Sequence, residues 1–246
     1  MHIHFIIHEI FEGPGAFLTW AETNGHGVSY SRVYEQEQLP DKIDGIDLLI
    51  ILGGPQDPNT TKEMCQHFDS AAEISVIKKC IEANKAVVGV CLGAQLIGEA
   101  LGASYENSPE KEIGAFPITL NNEGRKNELL SHLNTTSTVG NWHNDMPGLT
   151  DESKILAFSE GCPRQIVEYS DLVYGFQCHM EFTKELIELL IQHSKQELDN
   201  HQNNRFVQSP EQLRKNDYTS MNNQLYSFLS KLNNLYQQKG NTNLSP

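Results

Sequence analysis

Short apolar runs alternate with amphipathic stretches over the first hundred residues, and this alternation is the main structural signal in the chain. Runs at about 2–7 (His-Ile-His-Phe-Ile-Ile), 27–34, 48–52 (Leu-Leu-Ile-Ile-Leu) and 86–90 (Ala-Val-Val-Gly-Val) have strand length. The run at 48–52 is apolar throughout, as a strand buried on both faces must be. Helices are predicted near 15–24, after Gly13-Pro14-Gly15, and over 69–84. In the second, Ile74, Ile77 and Ile81 share one face and Asp69 stands at the N-cap position. A further helix follows residue 91 and ends at Gly102. Alternating strands and helices imply right-handed βαβ units, hence an α/β fold with a doubly wound, mostly parallel central sheet and helices on both faces.

The pattern changes after about residue 110. Shorter strands near 115–120, 154–159, 164–169 and 173–178 predict a small antiparallel extension, and 183–198 a closing helix with Leu186, Leu189, Leu190 and His193 at helical spacing. The chain divides at about 195: a domain over 1–195 and a polar C-terminal extension over 196–246 rich in Asn, Gln and Lys. Within the extension a helix is expected over 210–238, with Pro210 at its start. Leu213, Met221, Leu225, Phe228, Leu229, Leu232 and Leu235 would form an apolar stripe that packs on the domain or on a second subunit. The last six residues are expected to be disordered.

Candidate chemistry falls at the ends of these runs. Val87-Val88-Gly89-Val90-Cys91-Leu92-Gly93-Ala94-Gln95 reads as a buried strand that turns sharply into a helix, with Cys91 at the bend between two glycines. The same geometry exposes the serine of Gly-x-Ser-x-Gly hydrolases, and a helix starting just after the thiol favours the thiolate. In Gln177-Cys178-His179-Met180-Glu181, His179 and Glu181 lie two apart, on one face of an extended backbone, so the carboxylate can orient the imidazole. The turn Gly53-Gly54-Pro55 after the strand at 48–52 can present backbone N–H groups beyond the sheet. Asn141-Trp142-His143-Asn144-Asp145 places polar groups behind a tryptophan. Each feature also has an ordinary structural reading: a packed cysteine, a buried ion pair, a strand-to-loop turn and a surface loop.

Taken in order, these pieces, together with Glu112-Ile113-Gly114, resemble the class I glutamine amidotransferase family over roughly residues 1 to 195. The nearest likeness is to stand-alone members related to the glutaminase domain of GMP synthetase. The resemblance implies a flavodoxin-like doubly wound fold. Its catalytic residues would be Cys91 as nucleophile, His179 as acid/base and Glu181 as the orienting carboxylate. Gly54 and Leu92 would supply oxyanion N–H groups, and Gln95, His143 and Asp145 would hold the substrate. The implied reaction is hydrolysis of a γ-glutamyl amide through a thioester, with neither a cofactor nor a metal. The family often carries His-Pro-Glu where this chain has His179-Met180-Glu181, and Cys178 replaces a common Phe.

Composition narrows the partners. A net charge of −14 argues against nonspecific nucleic-acid binding and against an anionic membrane surface. Five cysteines without a disulfide pattern, and an N-terminal run unlike a signal peptide, lead us to expect a cytoplasmic protein. His2 and His4 share a strand face without the carboxylate or Cys set of a metal site, whereas His8 would stand at the ligand-binding end of the first strand. The sequence leaves the leaving amine open. Ammonia would imply glutamine as substrate and, for a partner, an ammonia-accepting synthase. An amino acid would make the protein a γ-glutamyl peptidase. A catalytically silent binding or regulatory protein, and a homodimer, are the remaining alternatives.

Overall fold

The structure, a computed structural model, describes residues 1–242. Strands β1 (His2–Ile7), β2 (Gly27–Arg32), β3 (Leu48–Ile51) and β4 (Ala86–Val90) alternate with helices α1 (Gly15–Thr23), α2 (Ser70–Glu82) and α3 (Leu92–Ala100). Then follow β5 (Glu106–Leu120), the short α4 (Asn122–Lys126), β6 (Thr136–Met146), β7 (Lys154–Phe158), β8 (Ile166–Ser170) and β9 (Val173–Phe176). The described chain closes with α5 (Lys184–His193), α6 (Lys195–His201), α7 (Pro210–Lys215) and α8 (Thr219–Thr242).

All of these strands lie in one sheet, in the order β2-β1-β3-β4-β9-β8-β7-β5-β6. The first five are mutually parallel, and the pairs from β9 to β8 outward are antiparallel. The fold is therefore doubly wound α/β, mostly parallel where the site lies. The parallel strands are apolar on both sides because both sides are covered. Phe5, Ile50 and Val88 join a core with α1 and α8, while Ile6, Ile51 and Val87 join a second core with α2 and α3. Strict alternation assigns successive residues to opposite faces. The α2 N-cap forms as its sequence predicts, with the Asp69 carboxylate accepting the Ala72 N–H at 3.0 Å.

Several elements differ from the sequence-based expectation. The strand expected at 173–178 is β9, and it pairs in parallel with β4, so it belongs to the parallel half on one edge and starts the antiparallel half on the other. The strand expected at 115–120 begins at Glu106, with a register shift between Asn107 and Glu112. The segment 141–145, read as a surface loop, lies inside β6. Its apolar periodicity is hidden because buried Asn141 and His143 are satisfied by polar partners rather than by hydrophobic packing. On α2 the buried face is Glu73, Val76, Ile77 and Cys80, with Ile74 and Ile81 at its margin, because Glu73 turns inward to meet His8.

The closing helix expected over 183–198 breaks at Ser194 into α5 and α6. There Glu197 is drawn to Lys111 Nζ at 2.5 Å and Trp142 Nε1 at 3.0 Å. The helix expected over 210–238 is likewise two helices, α7 and α8. α7 opens with a Ser209–Gln212 capping box and Pro210, and the chain turns where Tyr218 donates its hydroxyl to the Leu213 carbonyl at 2.8 Å. Leu213, Met221, Leu225, Phe228, Leu229 and Leu232 all join the core that contains the sheet. Phe228 meets Tyr174 and Phe176 of β9 edge-on, at 5.2 and 5.0 Å. The expectation of disorder for the last six residues falls largely outside the described residues. All five cysteines are free, and no helix among the described residues is long and apolar enough to cross a membrane.

Candidate active site

Cys91 caps α3 with φ 50° and ψ −110°, a left-handed conformation that a side chain rarely adopts. The flanking glycines make this turn sterically feasible. A β-carbon at Gly89 would come within 2.3 Å of the Gly93 carbonyl oxygen, and one at Gly93 within 2.1 Å of the Ile51 carbonyl oxygen. The Cys91 N–H donates to the Phe176 carbonyl at 2.8 Å, which ties the bend to β9. Its thiol lies 3.7 Å from the Trp142 carbonyl oxygen, and the residue is 7% exposed.

His179 is held on every side. Its backbone exchanges two hydrogen bonds with Gly140 of β6, at 2.8 and 3.1 Å. Phe182 stacks on its ring at 4.2 Å, and Nδ1 meets Glu181 Oε1 at 2.7 Å. Among the described residues Nε2 has no hydrogen-bond partner of good geometry. It is left for Cys91, and the two groups act on each other's protonation. Burial pushes the Cys91 thiol up, opposed by His179 and by the Leu92 N–H. Burial opposes the imidazolium as well, but Glu181 and Cys91 outweigh it and hold the His179 pKa well above the usual histidine range.

The turn after β3 is aimed from behind. His8 and Glu73 are fully buried; His8 Nε2 lies 2.9 Å from Glu73 Oε2, and Nδ1 lies 2.9 Å from the Gly53 carbonyl oxygen. Burial would lower the His8 pKa, but Glu73 and the Gly53 carbonyl raise it. With Nδ1–H donating to that carbonyl, the Gly53–Gly54 peptide is pinned and the Gly54 N–H points the opposite way. His8 thus stands behind the turn and does not line the crevice.

A crevice of about 650 Å³ lies over Cys91, lined by Gly54, Gln95, His143 and Asp145 among others. Gln95 turns its amide to Gln177 Oε1 at 3.3 Å, and its own Oε1 has no partner among the described residues. Asp145 accepts from Asn107 Nδ2 at 2.9 Å, and burial together with Asp57 raises its pKa. His143 is committed to a buried network with Glu112 Oε2, Asn141 Oδ1 and Gln165 Nε2, each 3.3 Å away. Burial lowers its pKa against the pull of Glu112.

Glu112, His143 and Cys162 bring metal-ligand atoms within 4.8 Å of one another. However, Gln165 and Ser159 already donate to Glu112 Oε2, at 2.7 and 2.8 Å. Burial pushes the Cys162 thiol up to about 11, the opposite of what a metal thiolate needs. His2 and His4 both bond Ser29 of β2, at 2.8 Å, and burial and His2 lower the His4 pKa to about 4. Sequence reasoning named Glu112 only within the Glu112-Ile113-Gly114 motif, without a role, and missed Glu12 and Glu73. Only Glu12 carried a signal, its place in the loop at the C-terminal end of β1, where open α/β sheets bind ligands.

The site thus joins a thiol on a strand-to-helix elbow, a carboxylate-bound imidazole and a crevice at the carboxyl ends of parallel strands in an α/β protein. The chain belongs to the class I glutamine amidotransferase family, whose model matches residues 22–212. It is 54% identical over 239 residues to the glutamine amidotransferase-like protein YfeJ of Salmonella typhimurium, covering 97% of this chain and 100% of that one. The crystal structure of SMU.1228c superposes with a TM-score of 0.93 at 48% identity, over 95% of this chain and 100% of that one. A more distant relative, the glutamine-hydrolyzing GMP synthase of Clostridium perfringens, is 30% identical over 106 residues, 42% of this chain and 20% of that one.

Proposed function

We propose that the protein hydrolyses a γ-glutamyl amide through a covalent thioester at Cys91. The observation that carries this reading is the strained Cys91 elbow beside an imidazole whose Nδ1 is bound by Glu181 and whose Nε2 is left unpartnered. A purely structural ion pair gives no reason to leave that nitrogen buried and unpaired next to a thiol. This argues against a silent binding protein.

The Cys91 thiolate attacks the side-chain carbonyl carbon, and the Gly54 and Leu92 N–H groups receive the oxyanion. His179 gives its Nε2 proton to the nitrogen as the C–N bond breaks, leaving a γ-glutamyl thioester and a free amine. His179 then takes a proton from water, whose oxygen attacks the thioester. Collapse releases glutamate and restores the thiol. Gln95 and Asp145 hold the glutamyl end from the crevice wall, and His143 acts from its network beneath them. The reaction uses neither a metal nor an organic cofactor. The buried free thiols fit a reducing cytoplasm, and an ammonia-consuming synthase is the natural partner if ammonia leaves.

A second reading, hydrolysis of γ-glutamyl peptides, draws on the crevice of about 650 Å³ over Cys91. Glutamate release by the purified chain tests the common chemistry. It should be abolished by Cys91→Ala, and Cys91 should react with a glutamine-like chloroketone far faster than the other four thiols. Equal, slow labelling of all five would overturn the catalytic reading.

A further inference from the structure

Glu12 is an acidic side chain at the site to which the proposed reaction gives no role. Its loop is rigidly placed. Phe11 stacks on His193 at 4.6 Å, and the Ala16 N–H donates to the Glu181 carbonyl oxygen at 3.0 Å. A β-carbon at Gly53 would lie 2.2 Å from Glu12 Oε2 and 3.1 Å from His179 Cε1. The Glu12 carboxyl therefore rests against the Gly53 backbone, and the Cε1 edge of the imidazole approaches that same backbone position, close enough for His179 to act on the Glu12 charge. Cε1 is bonded to Nε2, the nitrogen that hands its proton to the departing amine. Glu12 thus borders the place where that amine is released, and it lines the crevice.

The carboxyl is not consumed by the protein. Among the described residues no hydrogen bond reaches it, and Glu181 already orients the imidazole. Burial raises its pKa to about 7, with His179 and His8 opposing and Glu181 and Glu9 adding to the rise. Around the crevice the other charges are Asp145, Glu197 and Lys111, and the Lys111 ammonium is held by Glu197 at 2.5 Å. Among the described residues the wall thus offers a carboxylate without a hydrogen-bond donor, near the imidazoles of His179 and His8, and no uncommitted lysine or arginine at the leaving side.

We infer that Glu12 selects the leaving group: it accepts ammonia or an alkylamine and rejects an α-amino acid. The inference rests on the proposed hydrolysis at Cys91. Positive charge grows on the nitrogen as His179 protonates it, and an adjacent carboxylate stabilises that charge. An α-amino acid brings its own carboxylate two bonds from the same nitrogen, within about 5 Å of Glu12. At that distance like charges at a protein site discriminate by about a hundredfold.

The test compares kcat/KM for glutamine, γ-glutamylmethylamide and γ-glutamylalanine at pH 8, in the full chain and in Glu12→Gln. The wild type should favour the first two over γ-glutamylalanine by about a hundredfold. Glu12→Gln should narrow that ratio at least tenfold, chiefly by improving γ-glutamylalanine. An unchanged ratio, or a wild type that prefers γ-glutamylalanine, overturns the selection. A Glu12→Gln protein that still reacts with the chloroketone at Cys91 but turns over none of the three overturns it too, because Glu12 would then serve the chemistry itself. If the wild type releases glutamate from none of them and its Cys91 is unreactive, it is the hydrolytic reading that fails.

Discussion

The Cys91 turn takes its bend from five consecutive residues, with Ile51 and Phe176 packed against it, whereas the His179–Glu181 turn is shaped mostly by segments far away in the chain. Gly89 and Gly93 permit the bend, and α3 begins immediately after it. The imidazole turn is assembled from outside. Gly140 of β6 pairs with His179, Ala16 of α1 donates to the Glu181 carbonyl, and Asn222 of α8 donates to the Met180 and Phe182 carbonyls at 2.8 and 3.0 Å. Met221, the neighbour of Asn222, also lies on the Gly140 N–H, with Sδ at 3.2 Å. One half of the site is thus encoded locally, and the other depends on the C-terminal helix for its position. The lesson is that residues after 196 do more than cover apolar surface: they brace the segment that holds the imidazole.

The largest effect is expected at the Cys91 turn. Gly93→Val forces a side chain into the Ile51 carbonyl. It should abolish glutamate release and cost about 3 kcal/mol in stability, seen as a large drop in Tm. Asn222→Ala should act at a distance. Two buried carbonyls lose their donor, activity should fall about tenfold through a displaced imidazole, and stability by about 1–2 kcal/mol. The alkylation rate of Cys91 should fall as well, because a displaced His179 no longer opposes the upward push of burial on the thiol. If Asn222→Ala leaves kcat intact, α8 is only a cover and the contrast collapses.

The folded pKa values of His179 and His8 are both raised, so the stability they contribute is fully present below the ordinary histidine value of about 6.5. It is lost as pH rises through the raised folded values. A Tm series from pH 6 upward should therefore decline. Glu181→Gln, which removes the charge that raises His179, should flatten part of that decline; an unchanged slope would count against the dyad. The smallest effect belongs to the elbow strain. Cys91→Gly and Cys91→Ala both lose the thiol, but glycine tolerates φ 50° and should be more stable by about 1 kcal/mol in a denaturant titration.

How much of the molecule was legible follows the same division. The parallel strands β1, β3 and β4, the Asp69 cap and the Cys91 elbow were readable because each signal lies within a few residues of its cause. The His179–Glu181 spacing was readable for the same reason. β6 was not, because its buried polar residues are satisfied by Glu112 and Gln165 on other strands and segments. Nor was the inward turn of Glu73, which looks like a surface acid on α2 until His8 is seen beneath it.

By itself the sequence determined the doubly wound core, the order of the motifs, and the presence of a thiol, an imidazole and a carboxylate at turn positions. Periodicity, glycine tolerance and capping act over a few bonds, so a linear text carries them. Tertiary structure alone decided that α8 braces the His179 turn, that His8 and Glu73 aim the Gly53 peptide, and that Glu12 faces the crevice. Those contacts join residues that only the packed chain brings within hydrogen-bonding or Coulombic reach, and no local pattern announces them.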